Sequence, residues 1–359
     1  MKIYNIVLTG GPASGKTTIL KEIKKKFDTK STKVIVVPET ATELFNWNIP
    51  ILFGDKAFNY QDNIYQKQKN NQQVANSLAS ELNYEKIIII YDRAVLDNKA
   101  YMSNEDFAKM MHTYNDSELA NLDFYDLVIN LQTSANLDNK YDKETNPARS
   151  EDQETAKILG NKTLGAWLMH RNLYNVEATE NIEDKVELVN NIISDFINKK
   201  RINNSRYLID SKVGRKLVEQ FNAKLISDDD YFFRSPGYRK SSISVRNDGF
   251  SKSYIGKIIT PFKDGEIIND ERVLDDVYLA ELLSSNSLVA QANKQVYRFI
   301  YDNEVMEISF VNDLCFLRIL SRKNIKDIKL PDGLILEEEL SSQDYYNLIT
   351  KPGLSRKLL

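Results

Sequence analysis

Cysteine and histidine are nearly absent from this 359-residue chain: Cys315 stands alone, and only His112 and His170 represent the imidazoles. One cysteine excludes an intramolecular disulfide framework and a cysteine-based zinc cluster, and it fits a reducing compartment. Two histidines leave little room for histidine metal sites or multi-imidazole proton relays, so carboxylates, lysines and arginines must carry the chemistry. Charge of one sign is lacking too. A formal net charge of −3 and an isoelectric point near 5.7 argue against wholesale binding of nucleic acid by charge, though a local basic patch stays compatible with them. No apolar run approaches the roughly twenty residues of a membrane span, and the first residues pass straight into an apolar strand-like run instead of a secretory leader. The expectation is a cytoplasmic protein with no transmembrane segment, for which peripheral membrane contact stays open.

Forty-two per cent hydrophobic residues suffice for sizeable cores, and the length exceeds what one core usually supports, so two domains are expected. Over residues 1–200 strand and helix patterns alternate, with strands at 3–9, 33–37, 86–91, 127–131 and 174–177, the order of an α/β fold with a parallel sheet. Residues 59–82 are rich in Gln and Asn, yet Ile64, Val74, Leu78 and Leu82 recur at helical spacing and predict a partly buried helix. Residues 183–200 predict an amphipathic helix with Val186, Val189, Ile193 and Phe196 on one face. Near residues 199–205 the period changes to two, as at 297–301 and 305–310. Residues 201–359 therefore read as a second domain, α+β, built on an antiparallel sheet or barrel with helices near 213–221 and 274–283.

The strongest motif is Gly10-Gly11-Pro12-Ala13-Ser14-Gly15-Lys16-Thr17, followed by Thr18 at the start of a helical stretch. This is a complete Walker A loop set between a strand and a helix. Glycines let the chain wrap with its N–H groups aimed at phosphate oxygens, and the helix adds its positive end. Lys16 would reach the β- and γ-phosphates of ATP or GTP, and the Thr17 hydroxyl would complete the shell of a bridging Mg²⁺ ion.

Three further groups fall where chemistry is expected. Glu39 follows the second strand at the edge where the loop opens, placed either to accept the proton of an attacking hydroxyl or merely to complement the dipole of the helix begun at Thr40. Asp92 and Arg93 end the run Ile87–Ile90 and Tyr91 in the form of a Walker B segment, with Asp92 on the Mg²⁺ ion and Arg93 neutralising phosphate or pinning Glu39. Asp97 is open between a site residue and a solvated first-turn acid. Arg149, in a polar stretch over 138–152, is either a lid arginine that stabilises the moving phosphoryl group or a solvated loop residue. Trp167 and His170 read as core. No Asn-Lys-x-Asp guanine motif is present, so ATP and GTP stay undistinguished.

Together residues 10–17, Val37-Pro38-Glu39-Thr40-Ala41, Tyr91-Asp92-Arg93 with Asp97, residues 125–129 and 146–151 resemble the P-loop domain shared by bacterial nicotinamide riboside kinases and the TRPL translocation defect protein of insects. The resemblance covers nearly all of residues 1–200 and echoes deoxyribonucleoside kinases. It implies roles for Glu39, Arg93 and Arg149 as catalytic groups, and it places Gln61 where such kinases read a base. It also implies a second domain of CYTH type, a strand tunnel that binds triphosphates, to which residues 202–350 are similar in order.

The opening strand of catalytic CYTH enzymes carries alternating glutamates. Here Ile202, Asn203 and Asn204 take those places, and Arg318-Ile319-Leu320 replaces a late Glu-x-Glu. Metal-dependent triphosphate hydrolysis requires such hard oxygen ligands. Arg206, Arg246, Lys257, Arg298 and Arg318 remain at strand positions, where alternation would turn several into one lumen to bind an anion such as a nucleotide, a polyphosphate or a phosphoinositide head group without cutting it. The alternative is a relic tunnel with outward cations. The expected partners are thus a nucleoside triphosphate and either a small-molecule acceptor or an anionic ligand.

Overall fold

The computed structural model describes residues 1–52, 56–137, 152–200, 205–235, 237–263, 265–284, 288–321 and 323–350. The chain divides into two compact units, Met1–Ser194 and Asp195–Leu359. Arg149 and the Ile202, Asn203, Asn204 stretch lie outside the described residues.

In the first unit, β1 (Lys2–Gly10), β2 (Thr32–Val37), β3 (Lys86–Asp92), β4 (Leu127–Leu131) and β5 (Leu173–Val176) form a wholly parallel sheet in the order β2-β3-β1-β4-β5. Ile87, Ile88, Ile89 and Ile90 are all fully buried, which requires cover on both faces of the sheet and explains the unbroken apolar run. The helices α1 (Lys16–Phe27), α2 (Thr40–Asn46), α3 (Ala57–Ser80), α4 (Asn104–Thr113), α5 (Glu118–Phe124), α6 (Gln153–Trp167) and α7 (Ile182–Ile197) supply the connections and the closing element. Strand order reverses about β1, whose carboxyl end opens a crevice between β3 and β4, the position where open α/β sheets take ligands. The register Leu8↔Asp92, Gly10↔Leu131 and Val37↔Tyr91 brings the ends of β1, β2 and β3 to one edge.

One helix departs from its expected orientation. Helix α3 is present, but of the predicted apolar face only Ile64 is buried; Val74, Leu78 and Leu82 are exposed. The inward face carries Gln61, Tyr65, Gln72 and Ala79. Polar groups hold it there: Gln72 donates to the Tyr125 hydroxyl, Asn76 Nδ2 donates to Tyr91 Oη (2.9 Å) and Asn5 Oδ1 (3.1 Å), and Tyr65 donates to Asp116. A hydrophobicity pattern misses a face whose groups are satisfied by one another.

The second unit carries a nine-stranded antiparallel sheet. Its strands are β6 (Ser205–Ile209), β7 (Lys224–Phe233), β8 (Lys240–Asn247), β9 (Lys252–Phe262), β10 (Gly265–Leu274), β11 (Leu288–Tyr301), β12 (Glu304–Val311), β13 (Leu314–Leu320) and β14 (Glu339–Leu340), in the order β10-β9-β8-β7-β11-β12-β13-β6-β14. Alternation splits each strand between two environments. Tyr207, Met306, Ile308, Cys315, Leu317 and Ile319 form one core with Leu217 of α8 (Ser211–Gln220). On the other face Phe232, Ile259, Ala292, Val311 and Phe316 pack on Tyr345, Tyr346 and Ile349 of α10 (Ser342–Ile349); α9 (Asp276–Ser284) joins β10 to β11. Arg206 on β6 lies 3.7 Å from Glu266 on β10, although these strands stand near opposite ends of the sheet. The sheet is therefore curled on itself around an interior, as in a barrel-type domain.

Candidate phosphate site and a charged interior

The loop after β1 is shaped by backbone demands. Gly10 has φ 140°, and a Cβ there would stand 2.1 Å from the Leu131 carbonyl oxygen, so only glycine fits against β4. Ala13 (φ 55°) and Gly15 (φ 88°) are left-handed, the curvature from which anion-binding nests of N–H groups are made. Lys16 is folded back, its Nζ donating to Gly10 O (3.2 Å), Gly11 O (3.3 Å) and Ser14 Oγ (3.2 Å). Burial, joined by the nearby Arg93 charge, pushes the Lys16 ammonium down to about 8 despite Asp92, Glu39 and Asp97. Thr17 and Thr18 are exposed in the first turn of α1.

Glu39, Asp92 and Arg93 meet Lys16 at this edge. Arg93 is left-handed (φ 64°), its N–H bonded to Leu8 O at 3.1 Å, which turns its side chain out of the strand direction. Its Nε lies 2.5 Å from Glu39 Oε1, and its guanidinium covers the Tyr101 ring at 5.7 Å. The other Glu39 oxygen accepts from Thr42 Oγ1 at 2.8 Å. Burial would raise the Glu39 carboxyl, but Arg93, Lys16 and the Thr42 bond outweigh it and hold it below its ordinary range. Asp92 shows the opposite balance. Burial dominates, aided by Glu39, and lifts it to about 6 although Lys16 and Arg93 pull downward. Among the described residues Asp92 Oδ1 and Arg93 Nη1 are buried without hydrogen-bond partners, an unmatched acceptor and an unmatched donor at one edge.

Asp97 is not a solvated acid. It is buried, taking bonds from Thr9 Oγ1, from Trp167 Nε1 (3.2 Å) and from the Ala94 N–H (2.6 Å). It thereby ties β1 to the turn after β3 and to α6. Trp167 and His170 are both fully buried, in keeping with core roles, with His170 Nε2 set 2.9 Å from Tyr125 O. Gln61 is buried on α3.

Sequence patterns overlooked Lys185. It stands among the polar residues opening α7, where its charge argues for solvent, yet it is buried, with Nζ donating to Ser14 O (3.2 Å) and Gln132 O (2.9 Å). The signal that could have found it is spacing: Lys185 lies four residues before the buried Val189, on the inward face of the helix.

In the second unit Arg206, Arg246 and Arg298 are buried. Arg298, Arg318 and Arg206 stand in one cross-strand row with Glu307, by the pairings Arg298↔Glu307, Glu307↔Arg318 and Arg318↔Arg206. Glu307 Oε2 accepts from Arg298 Nε (2.8 Å) and lies 2.7 Å from Nη2, while its Oε1 is 3.8 Å from Arg318 Nη1. Burial would raise the Glu307 carboxyl; Arg298 and Arg318 overcome that and hold it at about 2. Lys257 lies 3.9 Å from Glu271. Lys294, Asp228 and Asp230, none of them singled out by pattern, form a second cluster, with Lys294 Nζ 3.1 Å and 2.6 Å from the two carboxylates. Asp228 also pairs across the ladder with Arg246. Tyr345 of α10 covers Arg206 at 4.4 Å, and the Tyr346 hydroxyl donates to Glu266 Oε2 at 3.4 Å. The five predicted cations thus sit among acids, Glu266, Glu271, Glu307 and Asp228, that a bare basic tunnel would lack.

Among the described residues no cluster of three or more His, Cys, Asp or Glu is arranged to hold a metal, and no helix is long and apolar enough to cross a membrane.

Solved structures share a remote likeness. The PH1012 protein of Pyrococcus horikoshii OT3 is 13% identical over 34% of this chain and 79% of its own, with a TM-score of 0.27. The PH1819 protein of the same organism is 14% identical over 34% of this chain and 78% of its own, with a TM-score of 0.28. A conserved hypothetical protein from Pyrococcus furiosus is 14% identical over 33% and 78%, with a TM-score of 0.26. No curated protein matches. A family model described as an AAA domain matches residues 5–185, just over half of the chain and the stretch that contains the loop, Glu39, Asp92, Arg93 and Lys185. With its parallel sheet and its phosphate loop at the switch point, the chain belongs to the AAA domain family.

Proposed function

We propose that the first unit binds a magnesium complex of ATP or GTP and either transfers the γ-phosphoryl group to a small-molecule hydroxyl or hydrolyses it. The AAA domain match and the parallel fold are consistent with nucleoside triphosphate binding and phosphoryl-transfer chemistry. The observation that carries the finer reading is the convergence of Lys16, Glu39, Asp92 and Arg93 with two buried polar atoms, Asp92 Oδ1 and Arg93 Nη1, that no described residue matches.

The donor set suits Mg²⁺. An orphaned carboxylate oxygen on Asp92 and an exposed hydroxyl on Thr17 are hard oxygen ligands, and the lack of a dedicated acidic cluster among the described residues fits an ion held largely by phosphate oxygens. When bound, the ion neutralises charge on the β- and γ-phosphates. The Gly10, Gly11, Pro12, Ala13, Ser14 and Gly15 backbone cradles the phosphates, Thr18 extends the helix start, and Lys16 leaves its loop carbonyls to reach them. Glu39, kept ionised by Arg93, takes the proton of the acceptor hydroxyl or of water. Arg93, with Arg149 from outside the described residues, stabilises the charge spreading over the transferring group.

For the second unit the barrel-type sheet and its lumen cations support a CYTH-like domain of the TRPL translocation defect type, binding an anion through Arg206, Arg246, Lys257, Arg298 and Arg318 without cutting it. A second reading is favoured by the same lumen: a nucleotide-gated binding protein that recognises a phosphoinositide or other anionic lipid and has no kinase activity. Measuring phosphate release and transfer to a metabolite panel with Glu39→Gln and Lys16→Ala separates the two. Loss of turnover in Glu39→Gln with nucleotide affinity kept supports the enzyme; an unchanged rate in Glu39→Gln sinks it.

A further inference from the structure

Lys185 is a buried cation that no carboxylate among the described residues accompanies. Its two acceptors are both backbone carbonyls, and the charge that acts on it is another cation, Lys16; burial first and that repulsion second lower its ammonium to about 8. An ammonium so placed is costly unless something negative completes its surroundings.

From α7 Lys185 reaches a carbonyl of the loop. Three successive carbonyl oxygens of the loop are held from outside: Pro12 O accepts from Thr133 Oγ1 (2.5 Å), Ala13 O from the Ser134 N–H (3.1 Å) and Ser14 O from Lys185 Nζ (3.2 Å). In a trans peptide the C=O and the following N–H point in opposite directions. Holding those three oxygens outward therefore turns the N–H groups of Ala13, Ser14 and Gly15 the other way, into the curve of the loop. Two of the three tethers come from the segment after β4 and are neutral. The third is charged, arrives from α7, and also grips Gln132 O, so it fastens the loop to the end of β4.

We propose that Lys185 is a positioning residue for polyphosphate: it aims the Gly15 N–H at the phosphate oxygens and adds a second positive charge behind the loop. This rests on the nucleotide-binding reading above. Because the tether acts on the backbone cradle, it serves the phosphates and is indifferent to the base.

The test titrates the full chain and its K185M variant with magnesium pyrophosphate, MgATP and MgGTP by calorimetry, and follows the Gly15 and Ala13 amide resonances by NMR. Expected is a loss of about tenfold or more for every ligand the wild type binds, by a common factor, with the Gly15 amide of the free protein displaced more than that of Ala13. Should K185M not fold, K185Q receives the same measurements; it removes the charge and keeps a donor, and a smaller common loss is expected. Unchanged pyrophosphate affinity, or a loss confined to one nucleotide, overturns the proposal. If the wild type binds none of the three ligands, the nucleotide reading itself fails; if it binds them and both variants match it, only the role of Lys185 falls.

Discussion

Both units bury an arginine against a glutamate, Glu39–Arg93 at the edge of the parallel sheet and Glu307–Arg298 inside the curled one, yet the two pairs are completed differently. At the sheet edge the pair is joined by Lys16 and Asp92, whose charges act on one another there. In the curled sheet Glu307 collects Arg298 and Arg318 in one row, while Lys294 is closed by two aspartates and Arg206 by Glu266 and the Tyr345 ring. Among the described residues each region keeps buried polar atoms without a hydrogen-bond partner, Asp92 Oδ1 and Arg93 Nη1 at the edge and Arg206 Nη1 and Asp228 Oδ1 in the curled sheet, but in the curled sheet Arg206, Arg298, Arg318, Lys257 and Lys294 each lie within 4 Å of an acid. A cation already paired with an acid must exchange that partner for any anionic ligand, which raises the cost of binding.

Replacing Lys16 by Ala gives the largest expected effect on this contrast, a loss of nucleotide affinity of about three orders of magnitude by calorimetry, since the loop then offers amides without an ammonium. An affinity within about threefold of wild type would erase the distinction between the two regions. Glu39→Gln should cut turnover by about 10²-fold or more in a phosphate-release assay while leaving nucleotide binding nearly intact.

In the second unit, Glu307→Leu strands Arg298 without its counter-charge and should destabilise the fold by about 3 kcal/mol in urea unfolding. The same carboxylate predicts a pH dependence. Its folded value of about 2 lies below its ordinary 4.5, so its stabilisation is complete above the ordinary value and is lost as pH falls from there through about 2. Acid unfolding of Glu307→Leu should therefore lack that part of the slope.

Smaller effects probe the supports. Thr9→Val keeps shape but removes the bond to Asp97, with an expected loss of about 1–2 kcal/mol. Leu78→Ser, on the apolar face that lies exposed, should change stability by less than about 0.5 kcal/mol; a larger loss would restore that face to the interior.

Much of the first unit was legible because local chemistry and position coincide. The isoleucine run needs cover on both sides, Gly10 and Gly15 answer to backbone geometry, and Glu39 and Asp92 follow strands whose ends must share an edge once the sheet is parallel. Helix α3 was legible as a helix and illegible in rotation, since its inner face is held by hydrogen bonds from Gln72, Asn76 and Tyr65 instead of by apolar area. Lys185 was hidden for a related reason: its acceptors, Ser14 O and Gln132 O, lie 171 and 53 positions away and have no side-chain character to read.

The amino-acid sequence alone determined which segments extend, which coil and where a phosphate loop must form, because those outcomes follow from backbone sterics and from neighbours a few positions apart. Only the tertiary structure decided which charges are answered. Whether Arg298 meets Glu307 and whether Asp92 Oδ1 finds a partner among the described residues depends on strand order and register across long separations, and the energy of a buried charge is set by the groups packed around it.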